Sequence, residues 1–462
     1  MANSQDTNTP WINILPTELL RDIFVLGYLT VGRQECLAVG LLEPTHYRIT
    51  ISSVSKRWYS LVLEEPRLWS EIAILIEHVN HMYKLDQAIL RLAALCLSRS
   101  KSAPLQLSIE LFNMPEESQH QVKRLVFPHL HRCRSLRFQF YQGKHTHPVD
   151  PLKIWFPLPD IPSLNHLDIF LSSELPYDGE IIHLGPALTL RTFRLTITES
   201  HPIFHSKFAV TDELCLVGLH DERSVFNVLQ HCTNVKVLTL RHVRLLLPFS
   251  QSLSFPALVE LNVKNILEFP LQAAPNLRCL RVERFWDDRI NHIPDIMQVP
   301  SGLRELFWDG LGWPHVPDLG MLYSVGSGCF VRSKGLEVIH VSHLNKANDW
   351  AQFLTPSVSP SPRSPSVAGY QQAGNSPGLP FPGLKLFVVG PYKYRMESLE
   401  PLRNLLQARP DLVSVYRWQD SCPPCAKRLS DLMPNRFITS ESSKAEKLIE
   451  DLKRDLMYGT PS

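Results

Sequence analysis

PALVELNVK at residues 256–264 and PNLRCLRVE at residues 275–283 are one pattern written twice. A proline leads. An apolar anchor follows two residues on (Leu258, Leu277), a second three further (Leu261, Leu280) and a third two beyond that (Val263, Val282). The last two anchors lie two residues apart, the period at which side chains of a strand return to the same face. Each copy therefore predicts a short strand with Leu and Val turned into a core and Glu260, Asn262 or Arg281 turned out.

The pattern recurs on both sides. Leu164, Leu167, Ile169 and Leu190, Phe193, Leu195 come first, then a weak copy, Leu214 and Leu216 after Thr211, and Val235, Leu238, Leu240. Leu303, Leu306, Trp308, then Leu336, Ile339, Val341 and Leu384, Phe387, Val389 follow. Successive first anchors stand 19 to 26 residues apart, then 33 and 48. Pro162, Pro256, Pro275, Pro382 and Pro410 each sit two residues before an anchor, where proline can end a helix and open a strand. Helical candidates fill several gaps, among them SVFNVLQHC (224–232) and MESLEPLRNLLQA (396–408). These units resemble irregular leucine-rich repeats, whose periods run from about 20 to 29 residues. The regular asparagine of that family is largely missing, with Asn234 and Asn276 isolated. The resemblance implies an α/β solenoid of right-handed strand–loop–helix units over 104–438; the alternative is a compact α/β domain with echoing strands.

The amino end has a different period. In INILPTELLRDIF (12–24), Pro16 suits the first position of a helix, and Leu19, Leu20, Ile23, Phe24 and Leu26 recur on one helical face. That helix is expected to end near Gly27. In ITISSVSKRWYSLVLEEPRLWSEI (49–72), Ile51, Val54, Trp58, Leu61 and Val62 repeat the period as one helix, stopped by Pro66 and followed by the Leu68-Trp69 plug. A block of roughly 60 residues buries too little surface to be secure by itself, so it predicts a foreign surface.

Leu-Pro, Lys-Arg-Trp and Leu-Trp in this order and spacing resemble an F-box, over residues 13–73 with an insertion at about 29–49. The resemblance implies docking on the Skp-type adaptor of a cullin-based (SCF-type) ubiquitin ligase, with the repeats presenting a target protein. Carried over by position, Leu15, Pro16, Leu19, Ile23 and Phe24 supply the first part of the docking face. Val54 and Trp58 supply the next, and Leu68 and Trp69 finish the box or its core. Ubiquitin transfer would belong to other subunits. The competing reading is a repeat scaffold outside any ligase.

The remaining sequence sets the outer limits. Lys and Arg number 47 against 45 acidic residues, a net charge of +2, so no general field for nucleic acid or membrane is expected. Without a basic leader or a long apolar run, the expectation is an intracellular protein, cytoplasmic or nuclear. Nine scattered cysteines fit a reducing compartment rather than a disulfide framework. Cys422-Pro-Pro-Cys425 lacks a second ligand pair, and His129, His131, His145 and His147 read as surface histidines flanking a strand, so neither predicts a metal site. None of the common nucleophile, dinucleotide, phosphate-loop or zinc-protease motifs occurs, and the expectation is a non-catalytic protein without cofactors.

Residues 1–12 are expected to be disordered, 81–100 to form a linking helix with Leu85, Ile89, Leu92 and Leu95 inward, and 440–458 a C-terminal helix over the end of the solenoid. TPSVSPSPRSPSVAGYQQAGNSPGLPFPG (355–383) reads as a disordered loop with several Ser-Pro and Thr-Pro pairs.

Overall fold

The computed structural model describes residues 15–31, 42–77, 83–142, 151–173, 181–183, 189–198, 203–205, 208–243, 253–264, 273–283, 302–309, 335–341, 351, 355, 383–392, 400–418, 424–434 and 436–458. The chain is mixed α/β with parallel strands, and it divides into two compact units, residues 1–211 and 212–462. Residues 1–12, expected to be disordered, nearly all of the Ser-Pro loop, Cys422, His145 and His147 lie outside the described residues.

The first unit opens with α1 (Thr17–Val31), α2 (Leu42–Ser52) and α3 (Lys56–Glu64), followed by a 3-10 turn, Pro66–Trp69. Two expectations need correction. Helix α1 does not stop at Gly27 but runs on to Val31, and the missing Cβ at Gly27 lets the Tyr47 ring of α2 come close, its hydroxyl donating to the Phe24 carbonyl at 3.0 Å. The stretch from Ile51 to Val62 is two helices, because Ser55 is extended and accepts a hydrogen bond from the Trp58 N–H at 3.2 Å, an N-cap that starts α3 afresh.

Then come β1 (Glu71–Glu77), α4 (Tyr83–Arg99), β2 (Leu105–Phe112), α5 (Glu116–Val126), β3 (Cys133–Gln142), α6 (Pro151–Trp155) and β4 (His166–Ser173). Next are β5 (Ile181–His183), β6 (Thr189–Thr198) and β7 (Ile203–His205). Strands β1, β2, β3, β4 and β6 pair in that order, all parallel, while β5 and β7 form a separate two-stranded parallel sheet. The sheet thus begins at Glu71, not after residue 104. Its early strands carry the repeat pattern with unusual anchors: Trp69, Ile72, Ile74 before and in β1, and Cys133, Leu136, Phe138 in β3, all buried. Helix α4 spans the linking segment, but its buried side is Ala93, Cys96 and Leu97, and Leu95 is exposed.

The second unit contains β8 (Ala209–Val217, begun three residues before the boundary), α7 (Glu222–Leu229), β9 (Val237–Arg241), β10 (Glu260–Lys264), β11 (Cys279–Glu283), β12 (Glu305–Asp309) and β13 (Val338–Val341). After these come β14 (Leu386–Tyr392), α8 (Glu400–Ala408), β15 (Val413–Trp418), α9 (Pro424–Leu432), β16 (Phe437–Glu441) and α10 (Ser442–Tyr458). From β8 to β16 each strand pairs in parallel with the next, so sequence order is spatial order.

The prolines have a sharper role than helix stopping. Leu164, Leu258, Leu277 and Leu412 each donate their N–H to the carbonyl three residues back, on Ile161, Phe255, Ala274 and Arg409, closing a four-residue turn with proline second. Proline's fixed φ suits that place. The turn seats the first anchor, and Leu164, Leu258, Leu277, Leu336, Leu384 and Leu412 are all buried. The next residue locks onto the preceding repeat: the N–H groups of Arg278, Arg304, Glu337 and Lys385 bond the carbonyls of Val259, Arg278, Arg304 and Glu337 at 2.8 to 2.9 Å. Asn276 adds a side-chain bond of 2.7 Å to the Pro256 carbonyl. At Gly390 the β14–β15 register shifts; its φ of 102° and the carbonyl of Arg417 leave no room for a Cβ.

Candidate functional site

Helix α1 is apolar on two sides. Leu20, Phe24 and Tyr28, at i, i+4 and i+8, are buried, with the Phe24 ring 4.7 Å from that of Trp58. Leu19, Ile23 and Leu26 lie beside them along the helix and remain 51%, 51% and 63% exposed. The single apolar stripe of the sequence is therefore wider than the contact it makes, and one edge fills the core while the other meets solvent. Ile49 on α2, Val54 in the turn and Tyr59 on α3 are exposed large apolar residues on the same helical block.

The candidate docking residues thus fall into two groups. Leu19, Ile23 and Val54 are exposed, Pro16 is exposed, and Leu15 and Trp58 are half-buried. Phe24 (2% exposed), Leu68 and Trp69 are core residues, which removes Phe24 from any contact face. The Trp69 indole N–H donates to the Val62 carbonyl at 2.7 Å, and the guanidiniums of Arg48 and Arg99 stack over its ring at 5.0 and 4.5 Å. Arg48 is itself buried, beside Glu71, whose carboxyl is pushed up by burial against the pull of Arg48.

Polar clamps hold the helices in register. Arg57 donates to the Leu15 carbonyl at 2.6 Å, Arg21 pairs with Glu64 at 2.8 Å, and Arg67 bridges Glu65 and Asp22 at 2.7 and 3.0 Å. Burial raises the Glu65 carboxyl, but the bonds and charge of Arg67 outweigh it and hold the group below the usual range. The exposed apolar row is thus displayed on a braced support.

A second class of surface lies on the strand faces opposite the anchors, which sequence reading left as solvent positions. In the first unit Phe112 and Tyr141 stack at 4.1 Å with rings 3° apart, and Phe170 lies 5.0 Å from Tyr141. Arg137 pairs with Asp168 at 3.4 Å, and Arg194 is Asp168's partner in register on the other side. In the second unit one row runs Thr239, Asn262, Arg281, Phe307, His340, Val388, Val415 across seven neighbouring strands. It begins polar and ends apolar. The apolar end is covered: Ala445 and Ile449 of α10, with Leu448 and Leu452, pack on Val338, Leu386, Val388 and Val415.

The seam between the two halves is a buried polar cluster. His340 stacks on Phe307 at 3.8 Å, its Nε2 lies 2.9 Å from a Glu305 oxygen, and Lys453 of α10 pairs with the same carboxylate. Burial holds the imidazole down to about 4, so it is neutral and its Nε2–H donates. Burial also pushes Glu305 up, but the bonds from His340 and Lys453 win and hold it below the ordinary carboxylate range.

Elsewhere, Cys133 and Cys279 have thiols that burial pushes up to about 12, which keeps them protonated and unreactive. His131 rests its Nδ1 2.9 Å from the Pro128 carbonyl in the 3-10 turn Phe127–Arg132. Cys425 lies in the first turn of α9. Among the described residues no helix is long and apolar enough to cross a membrane. No protein-family model matches the chain, and no curated protein shows significant similarity to it.

Proposed function

We propose that the N-terminal helical block docks on the Skp-type adaptor of a cullin-based ubiquitin ligase and that the open strand faces receive a target protein. The observation that carries this reading is the surplus apolar edge of α1. Leu19, Ile23 and Leu26 stand at least half exposed on a helix whose other edge already fills the core. Exposed leucine singly needs no explanation; three on one helical row, braced by ion pairs, fit a hydrophobic contact. The F-box resemblance of Leu15-Pro16, Lys56-Arg57-Trp58 and Leu68-Trp69 names the partner. The parallel, sequentially ordered strands suit a repeat array that presents a target. The protein acts as adaptor, and transfer chemistry belongs to other subunits.

Affinity purification of the full chain tests this, with Leu19→Ala, Ile23→Ala and Leu26→Ala combined against wild type and probed for adaptor and cullin. Hot-spot truncation costs about 2 kcal/mol or more per residue, roughly thirtyfold each, so the triple variant should lose on the order of ten-thousandfold in affinity where the costs add. Its thermal midpoint should barely move, since surface substitutions stay within about 0.5 kcal/mol. Phe24→Ala would instead loosen the block itself, by about 3 to 5 kcal/mol. Wild type that recovers no cullin would leave the non-ligase scaffold as the reading.

A further inference from the structure

The open face of the first unit's sheet changes chemistry along the strands. Across β3, β4 and β6, Arg137, Asp168 and Arg194 stand in register, and Ser135, His166 and Thr192 form the row before them. Arg134 and Arg191, near the starts of β3 and β6, are exposed, as are His166 and Arg194. Arg137 is 41% and Asp168 28% exposed at the side chain. On this face two guanidiniums, Arg137 and Arg194, thus flank the carboxylate of Asp168 across three adjacent strands, a width of about 10 Å. One or two rows onward, about 7 to 13 Å along the strands, the same face carries the half-buried rings of Phe170, Tyr141 and Phe112.

We propose that this face binds an extended acidic segment of the target protein, its carboxylates on Arg137 and Arg194 and an aromatic or large aliphatic side chain, two to four residues away, on the Phe112–Tyr141–Phe170 rings. The residue offset is the row separation divided by the rise of an extended chain, about 3.3 Å per residue. Guanidinium forks pair with carboxylates, and the ring platform gives an apolar side chain a partner. A nucleic-acid strand stacked on those rings fits worse. Glu110 lies in register with Gln139 between Ser108 and Phe112, and its charge helps hold the Tyr141 hydroxyl up, after burial. A backbone with phosphate at every step would set charge beside that carboxylate; a peptide acidic at one end does not.

The proposal rests on the reading that the sheet receives a target, and it is independent of what α1 docks on. Fluorescence anisotropy with the full chain tests it directly. The probe is a fluorescein-labelled peptide with three glutamates, two serines, then tryptophan and phenylalanine. Controls replace the glutamates by glutamine or the aromatics by serine, and a fifteen-base oligothymidine serves as competitor. Saturable binding is expected, weakening with salt and falling about tenfold or more with either control peptide. Arg137→Ala with Arg194→Ala should cost a similar factor, and Arg194→Glu should shift preference towards the matching trilysine peptide. Tyr141→Ala should weaken the aromatic peptide and leave the serine control unchanged, with circular dichroism confirming the fold. No binding, equal binding of glutamate and glutamine peptides, arginine variants without effect, or tighter binding of the oligothymidine would each overturn the proposal. Peptide binding without adaptor recovery would overturn the ligase reading alone.

Discussion

His340 carries the clearest residue-scale consequence. An unfolded histidine takes a proton near pH 6.5, whereas the folded imidazole, buried against Phe307, does so only near 4. Between those values the unfolded chain binds the proton and the folded chain does not, so stability is full above about pH 6.5 and falls as pH drops towards 4. The loss is on the order of 3 kcal/mol once that window is crossed. Glu305 extends it: its folded carboxyl is held below the ordinary value, so its contribution is present above that value and is lost at lower pH. His340→Gln keeps a donor to Glu305 and removes the titration. Urea midpoints measured from pH 7.5 to 4.5 should slope for wild type and flatten through the histidine window for the variant; matching slopes would contradict the assignment.

At the scale of elements, α10 and α1 pose opposite problems. The apolar side of α10 is matched, with Ala445 and Ile449 buried on the sheet and Lys453 tied to Glu305. Ile449→Ala should cost about 2 to 4 kcal/mol, the range for opening a cavity beneath a large aliphatic residue. Lys447→Ala, at an exposed position of the same helix, should cost under about 0.5 kcal/mol. Chemical denaturation of both decides it, and equal midpoints would mean that the helix does not hold the face. The sequence places the C-terminal helix over the end of the repeats; the structure places it on the strand face opposite the anchors. The reason lies in Val338, Leu386, Val388 and Val415, which make that face apolar only in the last strands. Helix α1, by contrast, has more apolar surface than its own block covers.

At the scale of the molecule, strands that pair in sequence order make each repeat depend on its neighbours. A chain ending at Val341 would lack β14 to β16 and α10, leaving β13 a bare edge and Val338 uncovered. That truncation should unfold or aggregate the remainder of the second unit rather than leave a shortened array. Limited proteolysis reads the outcome: protected bands between residues 212 and 341 would contradict it. The near-balanced charge fits recognition by local patches, since a net of +2 over 462 residues supplies little long-range attraction.

The sequence by itself determined the strands whose anchors are leucine, the α1 and α10 helices and the polar fringe of the repeats. Apolar spacing is a local property, and Leu258-Val-Glu-Leu261-Asn-Val263 can bury its anchors in only one way. Strands β5, β7 and β16 escaped, as did β1 and β3, the last two because tryptophan and cysteine stand in the anchor place, at Trp69 and Cys133. Only the tertiary structure decided that Phe24 faces inward while Ile23 faces out, since adjacent residues of a helix stripe differ by what packs on them. It alone also brought Phe112, Tyr141 and Phe170 together, because strand register joins residues that are far apart along the chain.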